Sequence, residues 1–496
     1  MPSFRFAGMN TLTLPTAIDV FNGKSKEYGQ CVDIVNCDVD DEDNATRREG
    51  STLIVPSVAT SGWGNGDKGY CIVAGRLNSF DGAVLTILDA NLVVGADCEF
   101  AAVNDVVVFS DGTIIGIIDG ATVVRIDRPA DWVDVTDLAA WVAAHAPADP
   151  AKWNGTDTNS NFQIDAYKLA TLAGNCLCCY GGALFLAIDN FIYVTKTFDI
   201  EHMDIRYCVV AGFAGAVTFI KDVNGGLYVG TTKGCFFLPG GGIVVDEKGT
   251  ITEAFSQRQA NDFPAIKGTA VRVAAEFLPQ FQAAGMVVLW ATAQGIFAGM
   301  EGGTVLNLSR DRVKLPTAAS GKALFRDVEG LRQYLVSLGS EVWVLNVASQ
   351  AHSRYQGYVF TSIMAVGDHL YGTHASGIFK LEGETDAHRA GAKVDAYALT
   401  PAPDFGNKNV KWAESLYLLA ACSGDITVDY YVNGKLAFAG DTIIFDDLEE
   451  AHTRRAHPPK GLKGTTWQLK ISNVDGGRFT FTELQPGMVA SSRRTT

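Results

Sequence analysis

The densest run of possible metal ligands is "DVDDEDNATRRE", from Asp38 to Glu49. Read as a calcium loop, it places carboxylates at positions 1, 3, 5 and 12 and Asn44 at position 7, a spacing that suits a hard cation. Position 6, however, is Asp43, where the sharp turn demands glycine, and no helical pattern flanks the run. An acidic surface loop is therefore expected. The eight histidines do not fall into close pairs at ligand spacing, apart from His369 and His374 across a predicted turn. These are expected as plain strand-end residues. The tightest group of the ten cysteines, "CLCCY", lies in an apolar strand pattern. Reduced, buried thiols made in a reducing cytosol are the reading. There is no P-loop, G-x-S-x-G, H-E-x-x-H, or G-x-G-x-x-G opening a helix. Paired carboxylates for glycoside hydrolysis need only meet in space, and the spacing points to no particular pair. No catalytic residue, metal site or cofactor is expected.

The elements that would position such groups are repeats. "GGLYVGTTKGCFFLPG" (Gly225 to Gly240), "VVLWATAQGIFAGMEGG" (Val287 to Gly303) and "HLYGTHASGIFKLEG" (His369 to Gly383) share one design: apolar strand, small-residue turn, glycine, aromatic strand. "AVLTILDANLVVG" (Ala83 to Gly95), "DVVVFSDGTIIGIIDG" (Asp105 to Gly120), "ALFLAIDNFIYVT" (Ala183 to Thr195) and "RQYLVSLGSEVWVLNV" (Arg332 to Val347) follow it with Asp, Asn, Gly or Ser at the bend. No single hairpin buries its own apolar face, so the repeats must stack. Their steps are near the length of a four-stranded propeller blade. The expectation is an all-β fold: a β-propeller of about six blades, five or seven also fitting, over residues 51–392. Asn91 and Gly112 stand close enough to share one blade. The same hairpins would also build a pair of β-sandwiches.

One insert breaks the pattern. From Asp127 to Asn161, Leu138, Trp141, Val142 and His145 fall on one helical face and Pro147 stops it, predicting a short helix. Beyond the Pro/Gly/Asn-rich "TPAPDFGNKN", alternating strands with hinges at Asn433-Gly434 and Asp475-Gly476 predict a small β-sandwich over 393–496. A basic loop, "AHTRRAHPPKGLK", punctuates it. Residues 1–50 form an N-terminal extension.

Charge narrows the function classes. Net charge is −15, with 40 Lys/Arg against 55 Asp/Glu. From Pro401 onward the count is 11 against 11, leaving 29 against 44 in the first 400 residues. That excess opposes a protein that grips phosphate. No apolar run is long enough to span a bilayer, so no membrane anchor is expected. The N-terminus lacks a signal-peptide pattern.

The stretch "GQCVDIVNCDVDDEDNATRREG" resembles the opening of the β-propeller tail proteins of short-tailed bacteriophages. Those begin with an Asn-x-Asp-x-Asp region, here Asn36, Asp38 and Asp40, then an Arg-Arg-x-Gly element, here Arg47, Arg48 and Gly50. "MVVLWATAQGIFAGMEGGTVLNLSRDRVKLP" is similar to their recurring blade, and "TTWQLKISNVDGGRFTFTEL" to their closing strands. The acidic insert Asp41 to Asn44 and the helical insert depart from the pattern. The resemblance implies a structural virion protein, not an enzyme. It implies a tail hub or nozzle made in the host cytoplasm: a homohexameric ring below a portal-adaptor ring, beside tail fibres, retaining genomic DNA and passing it through the lumen without sequence-specific binding. Arg454, Arg455, Lys460 and Lys463 are then candidate interface residues. Asp38, Asp40, Asp157 and Asn159 are candidate channel-facing residues. The alternative class is a β-propeller enzyme or carbohydrate-binding module.

Overall fold

Apolar strands joined by two-residue turns bury only one face per hairpin, and this chain covers that face with the next hairpin along. The computed structural model describes residues 4–13, 29–126 and 168–491, except 205–207, 241–243, 246–250, 254, 279–284, 310–311, 329, 384–386, 388–390, 405–408 and 446. Seven four-stranded antiparallel blades succeed one another, the sixth as part of a larger sheet. Their first strands are Ala59–Asn65, Glu99–Val103, Cys176–Tyr180, Val217–Val223, Val271–Ala274, Lys322–Val328 and Ser362–Val366. Each first strand packs on the next, and Ser362–Val366 packs back on Ala59–Asn65. The sheets thus close into a ring, a β-propeller architecture with the first strands around the axis. Separate apolar clusters fill the wedges between neighbouring blades, such as Leu177 and Leu186 with Val108 and Ile117.

The ring is closed by a strand from far away in sequence. The seventh blade takes its outer strand from Thr52–Val55, which pairs with Gly377–Lys380. Gly377 explains why the repeats keep a glycine at the start of the third strand. It has φ 144°, and a Cβ there would stand 2.1 Å from the Val55 carbonyl oxygen. Gly234 and Gly295 open the third strands of the fourth and fifth blades in the same way, pairing with Thr231 and Thr292. Each likewise lies against the end of its fourth strand, at the Asn261 oxygen and the Ser309 side chain.

Among the described residues the blades number seven, one of the counts that fitted the repeats beside the preferred six. The Ala83 to Gly95 stretch is not a hairpin; only Leu85–Ile87 in it forms a strand, on the edge of the first blade. The first blade's own turn is Ala74-Gly75, with φ 50° and 73°, the double left-handed turn that a tight hairpin needs. Gly112 therefore belongs to a second blade and does not share one with Asn91. The predicted helix and the rest of the Asp127 to Asn161 insert lie outside the described residues.

A second β unit grows from the sixth blade. Its outer strand, His352–Gln356, pairs with Asp33–Val35, and the sheet continues through Tyr397–Leu399, Trp467–Asn473, Ile426–Val432 and Lys435–Ile443. A five-stranded sheet contains Cys37–Val39, Ala45–Arg47, Phe479–Ala490, Lys411–Cys422 and Asp447–Ala456. Alternating inward residues such as Trp467, Leu469 and Ile471 share one apolar core with Leu418, Phe481 and the fifth and sixth blades. Residues 33–47, expected as an extension, are thus structural strands of this unit.

Candidate functional site

The Asn-x-Asp and Arg-Arg elements converge at the joint between the sixth blade and the second unit. Asn36 has φ 56°, a left-handed turn that its short polar side chain tolerates, and it passes the chain from one sheet to the other. Its side-chain oxygen accepts from Arg48 Nε at 2.9 Å and from the Gln356 amide at 2.8 Å. Its own amide donates to the Asp395 carbonyl at 2.6 Å. Arg48 is only 2% exposed, donates to the Glu49 and Gln356 carbonyls, and lies 4.5 Å from the Tyr358 ring centre. Asp38 accepts from Arg326 at 2.7 Å, from Gln333 at 2.8 Å, and from the Tyr355 hydroxyl. Burial alone would lower the Arg326 pKa; Asp38 outweighs it and holds it above its usual range. Beside this clamp, Asp33 takes two hydrogen bonds from Arg354, at 2.9 and 2.7 Å, and one from the Tyr397 hydroxyl at 2.7 Å. Buried charges persist only with such pairing.

A second polar cluster closes one mouth of the propeller axis. The axial cavity has a volume of about 570 Å³ and is lined by the first strands, including Trp63, Lys221, Arg272 and Lys322. At its mouth Asp97 accepts from Lys267 Nζ at 2.6 Å and from Lys322 Nζ at 3.0 Å. These residues enter the second, fifth and sixth blades, so the ion pairs span the axis. Burial alone would raise the Asp97 carboxyl, but Lys322 and Lys267 outweigh it and hold it at about 2. Farther along the strands, Arg272 pairs with Asp222 at 3.2 Å.

The sequence-predicted residues land as follows. Asp38 lies inside the clamp and not on an exposed acidic loop. Asp40 caps its own turn, accepting from the Glu42 and Asn44 amides at 2.9 and 2.8 Å. The supposed calcium loop is therefore a structural turn whose carboxylates point to different tasks. Asp157 and Asn159 lie outside the described residues. Arg454 and Arg455 are exposed, but on the edge strand Asp447–Ala456 and not in a loop; they stand opposite Leu418 and Tyr417. Lys460 and Lys463 follow in the exposed turn beyond it. Arg455 lies 5.7 Å from the Tyr417 ring centre. His369 and His374 sit at opposite ends of one strand, His369 on Glu382 and His374 on Ser376. Among the described residues no three His, Cys, Asp or Glu side chains converge. The cysteines are free, and all but the half-buried Cys179 are buried. Burial pushes thiols such as Cys71 and Cys208 up to about 12, which keeps them protonated and inert. The Asp97 cluster was not anticipated. Its members are 170 and 225 residues apart, and no local pattern marks them.

No protein-family description matches the chain, and no curated protein does. Among solved structures, the extracellular domain of the B. thetaiotaomicron hybrid two component system BT4673 is similar at 9% identity over 68% of this chain and 40% of its own, with a TM-score of 0.43. The chain thus spans less than half the length of that protein. The Neurospora crassa Pan2 WD40 domain is similar at 10% identity over 71% of this chain and all of its own, with a TM-score of 0.37. The extracellular domain of the BT4673 one component system is similar at 11% identity over 95% of this chain and 64% of its own, with a TM-score of 0.41.

Proposed function

We propose that this chain is a structural subunit of a bacteriophage tail hub or nozzle: a seven-bladed propeller joined to a C-terminal sandwich. It assembles as a homohexameric ring between a portal-adaptor ring and the tail fibres of the virion. The observation that carries the reading is the clamp. Asn36, Asp38 and Arg48, which carry the resemblance to tail proteins, are the residues that tie the propeller to the second unit. A subunit that bears load between neighbours needs its two parts joined through a satisfied, buried network, and this joint supplies one.

The axis of the single propeller is not the DNA conduit in this reading. Its cavity is spanned by Asp97 and two lysines. The lumen lies instead between subunits, walled by acidic propellers that do not retain phosphate. The carboxylates Asp97 and Asp222 are each committed to cations, which supports scaffold over glycosidase. Negative-stain microscopy of the purified chain tests the proposal. Six-membered rings are expected; isolated discs at every concentration would overturn it.

A further inference from the structure

Two of the seven first strands are irregular. In Ala59–Asn65 the pairing with the second strand shifts between Ala59 and Gly62, and in Val217–Val223 between Val217 and Phe219. The other five first strands hold their register. Each shift leaves one extra residue in the first strand. The two bulged strands belong to the first and fourth blades, as far apart as a seven-membered ring allows. Both line the axial cavity, at Gly62, Trp63 and Gly64 and from Thr218 to Asp222. Bulges re-aim side chains and recur beside active sites. The extra residue Thr218 is 7% exposed, and its hydroxyl has no hydrogen-bond partner among the described residues. The cavity's volume of about 570 Å³ suits a small molecule.

The charges along its wall do not cancel. Glu99, Lys221, Asp222, Arg272 and Lys322 line it, three cations against two acids. At the closed mouth Lys322 and Lys267 hold Asp97, and the Glu99 charge acts on the same two lysines. Farther along, Asp222 is shared by Arg272 Nη1 at 3.2 Å and the Cys178 thiol at 3.8 Å. Arg272 is 46% exposed and has no other ion-pair partner among the described residues. Lys221 is half-buried, with neither an ion-pair nor a hydrogen-bond partner among them. Counting the mouth, four cations face three acids, so one positive charge is left over. It stands in a body with 44 Asp/Glu against 29 Lys/Arg in its first 400 residues. A cavity with low-dielectric walls focuses such a charge. The acids Asp67, Asp105, Glu276, Asp327 and Asp368 are exposed and lie three or four residues beyond the lining of their strands. That is roughly 10 Å or more along a strand, about the distance at which salt screens exposed charge.

Across the axis from Lys221 and Arg272, the first, second and seventh blades supply Trp63, Phe100 and Met364. We infer that the axial cavity is a binding site for a small organic monoanion, a carboxylate carried on an apolar body. Its charge pairs with Lys221 and the open side of Arg272, and its body lies against Trp63. One carboxylate matches the one uncancelled cation. The site needs a single chain and does not depend on the ring reading above.

Titration calorimetry of the full chain with benzoate at low salt is the test. One benzoate per chain is expected, with benzamide and inorganic phosphate each weaker by at least about tenfold. Lys221→Met is expected to keep the parent melting temperature and to lose benzoate affinity by about tenfold. Asp222→Asn acts the other way: it frees Arg272 and is expected to tighten benzoate, which a merely structural role would not do. Absence of saturable benzoate binding overturns the inference. Benzamide binding as well as benzoate means an apolar hole without an anion site, and phosphate binding as well means an anion site without an apolar one; either overturns it. If Lys221→Met melts below the parent, Asp222→Asn decides alone, and unchanged or weaker binding by it refutes the site.

Discussion

Asp97 and Lys267 lie 170 residues apart in the chain and meet at 2.6 Å across the mouth of the propeller axis. The second and fifth blades are not neighbours in a seven-membered ring, so only a contact over the axis joins them. Lys322 completes the bridge from the sixth blade. Asp97→Asn leaves two ammonium groups facing a neutral amide. Because Asp97 is half exposed, the loss is modest, about 1 kcal/mol in urea unfolding, and shrinks at high salt. The folded carboxyl titrates below its unfolded value. Its contribution is therefore full above about pH 4 and is lost as pH falls toward 2. If the acid unfolding profile of Asp97→Asn matches the parent's, the bridge adds no stability.

His352 has the opposite chemistry. It is 1% exposed; Nδ1 donates to the Gln350 carbonyl at 3.0 Å and Nε2 accepts from the Ser309 hydroxyl at 2.8 Å. Burial, helped by Arg312, lowers its pKa to about 3. The unfolded imidazole binds a proton near pH 6.5 and the folded one does not. Stability is thus lost as pH falls from about 6.5 toward 3, by about 2 kcal/mol at pH 5. His352→Gln removes that slope between pH 7 and 5 while lowering stability at pH 7. A parent whose melting temperature is level across this range would refute the assignment.

Gly377 tests the closure. Gly377→Ala forces a Cβ against the Val55 carbonyl and is expected to cost about 3 kcal/mol or more. Gly339, with φ 64° and nothing within 4 Å, serves as control; Gly339→Ala costs only about 1 kcal/mol. Limited proteolysis should cut the Gly377 variant first near Thr52–Val55, the strand it displaces. Equal losses for the two variants would argue that Thr52–Val55 does not latch the ring.

These contrasts also mark what the sequence can carry. The third-strand glycines were legible because turn and close approach recur in phase with the repeat. The first blade was missed because its strands, "KGYCIV" and "RLNSF", mix polar and apolar residues around a bare Ala-Gly turn. Thr52–Val55 and Asp33–Val35 could not be placed, because their partners lie hundreds of residues downstream and pairing over that distance leaves no local period. Asp38 read as solvated since acidic runs usually are. Only Arg326, Gln333 and Tyr355, brought by the sixth blade, make it a part-buried anchor. Pro458-Pro459 made the preceding Arg454-Arg455 look like loop, although the prolines only end the strand.

Arg48 gives the sharpest test of the joint. Arg48→Ala takes one donor each from Asn36 and two carbonyls, and removes a cation from two tyrosine rings. Truncating one member of a buried charged network costs about 3–5 kcal/mol. The loss should fall on the joint, so the parent is expected to unfold in one calorimetric transition and the variant in two. A single transition lowered by less than about 1 kcal/mol would mean the clamp is not what couples the units.

The basic edge carries the last prediction. Arg454 and Arg455 project from the outer strand of a five-stranded sheet, with Lys460 and Lys463 just beyond. An edge strand has backbone groups open to pairing, and charge on it both guards against wrong partners and selects an acidic one. The first 400 residues supply the acid excess, 44 Asp/Glu against 29 Lys/Arg. Each exposed pair contributes only about 0.2–1 kcal/mol. In a ring every pair recurs at each interface, so reversal of two charges should show in closure long before it shows in folding. Arg454→Glu with Arg455→Glu is expected to melt within about 1 kcal/mol of the parent. It should nonetheless form fewer rings by light scattering at low salt, with the difference fading at high salt. Assembly equal to the parent at both salts would remove this edge from the interface.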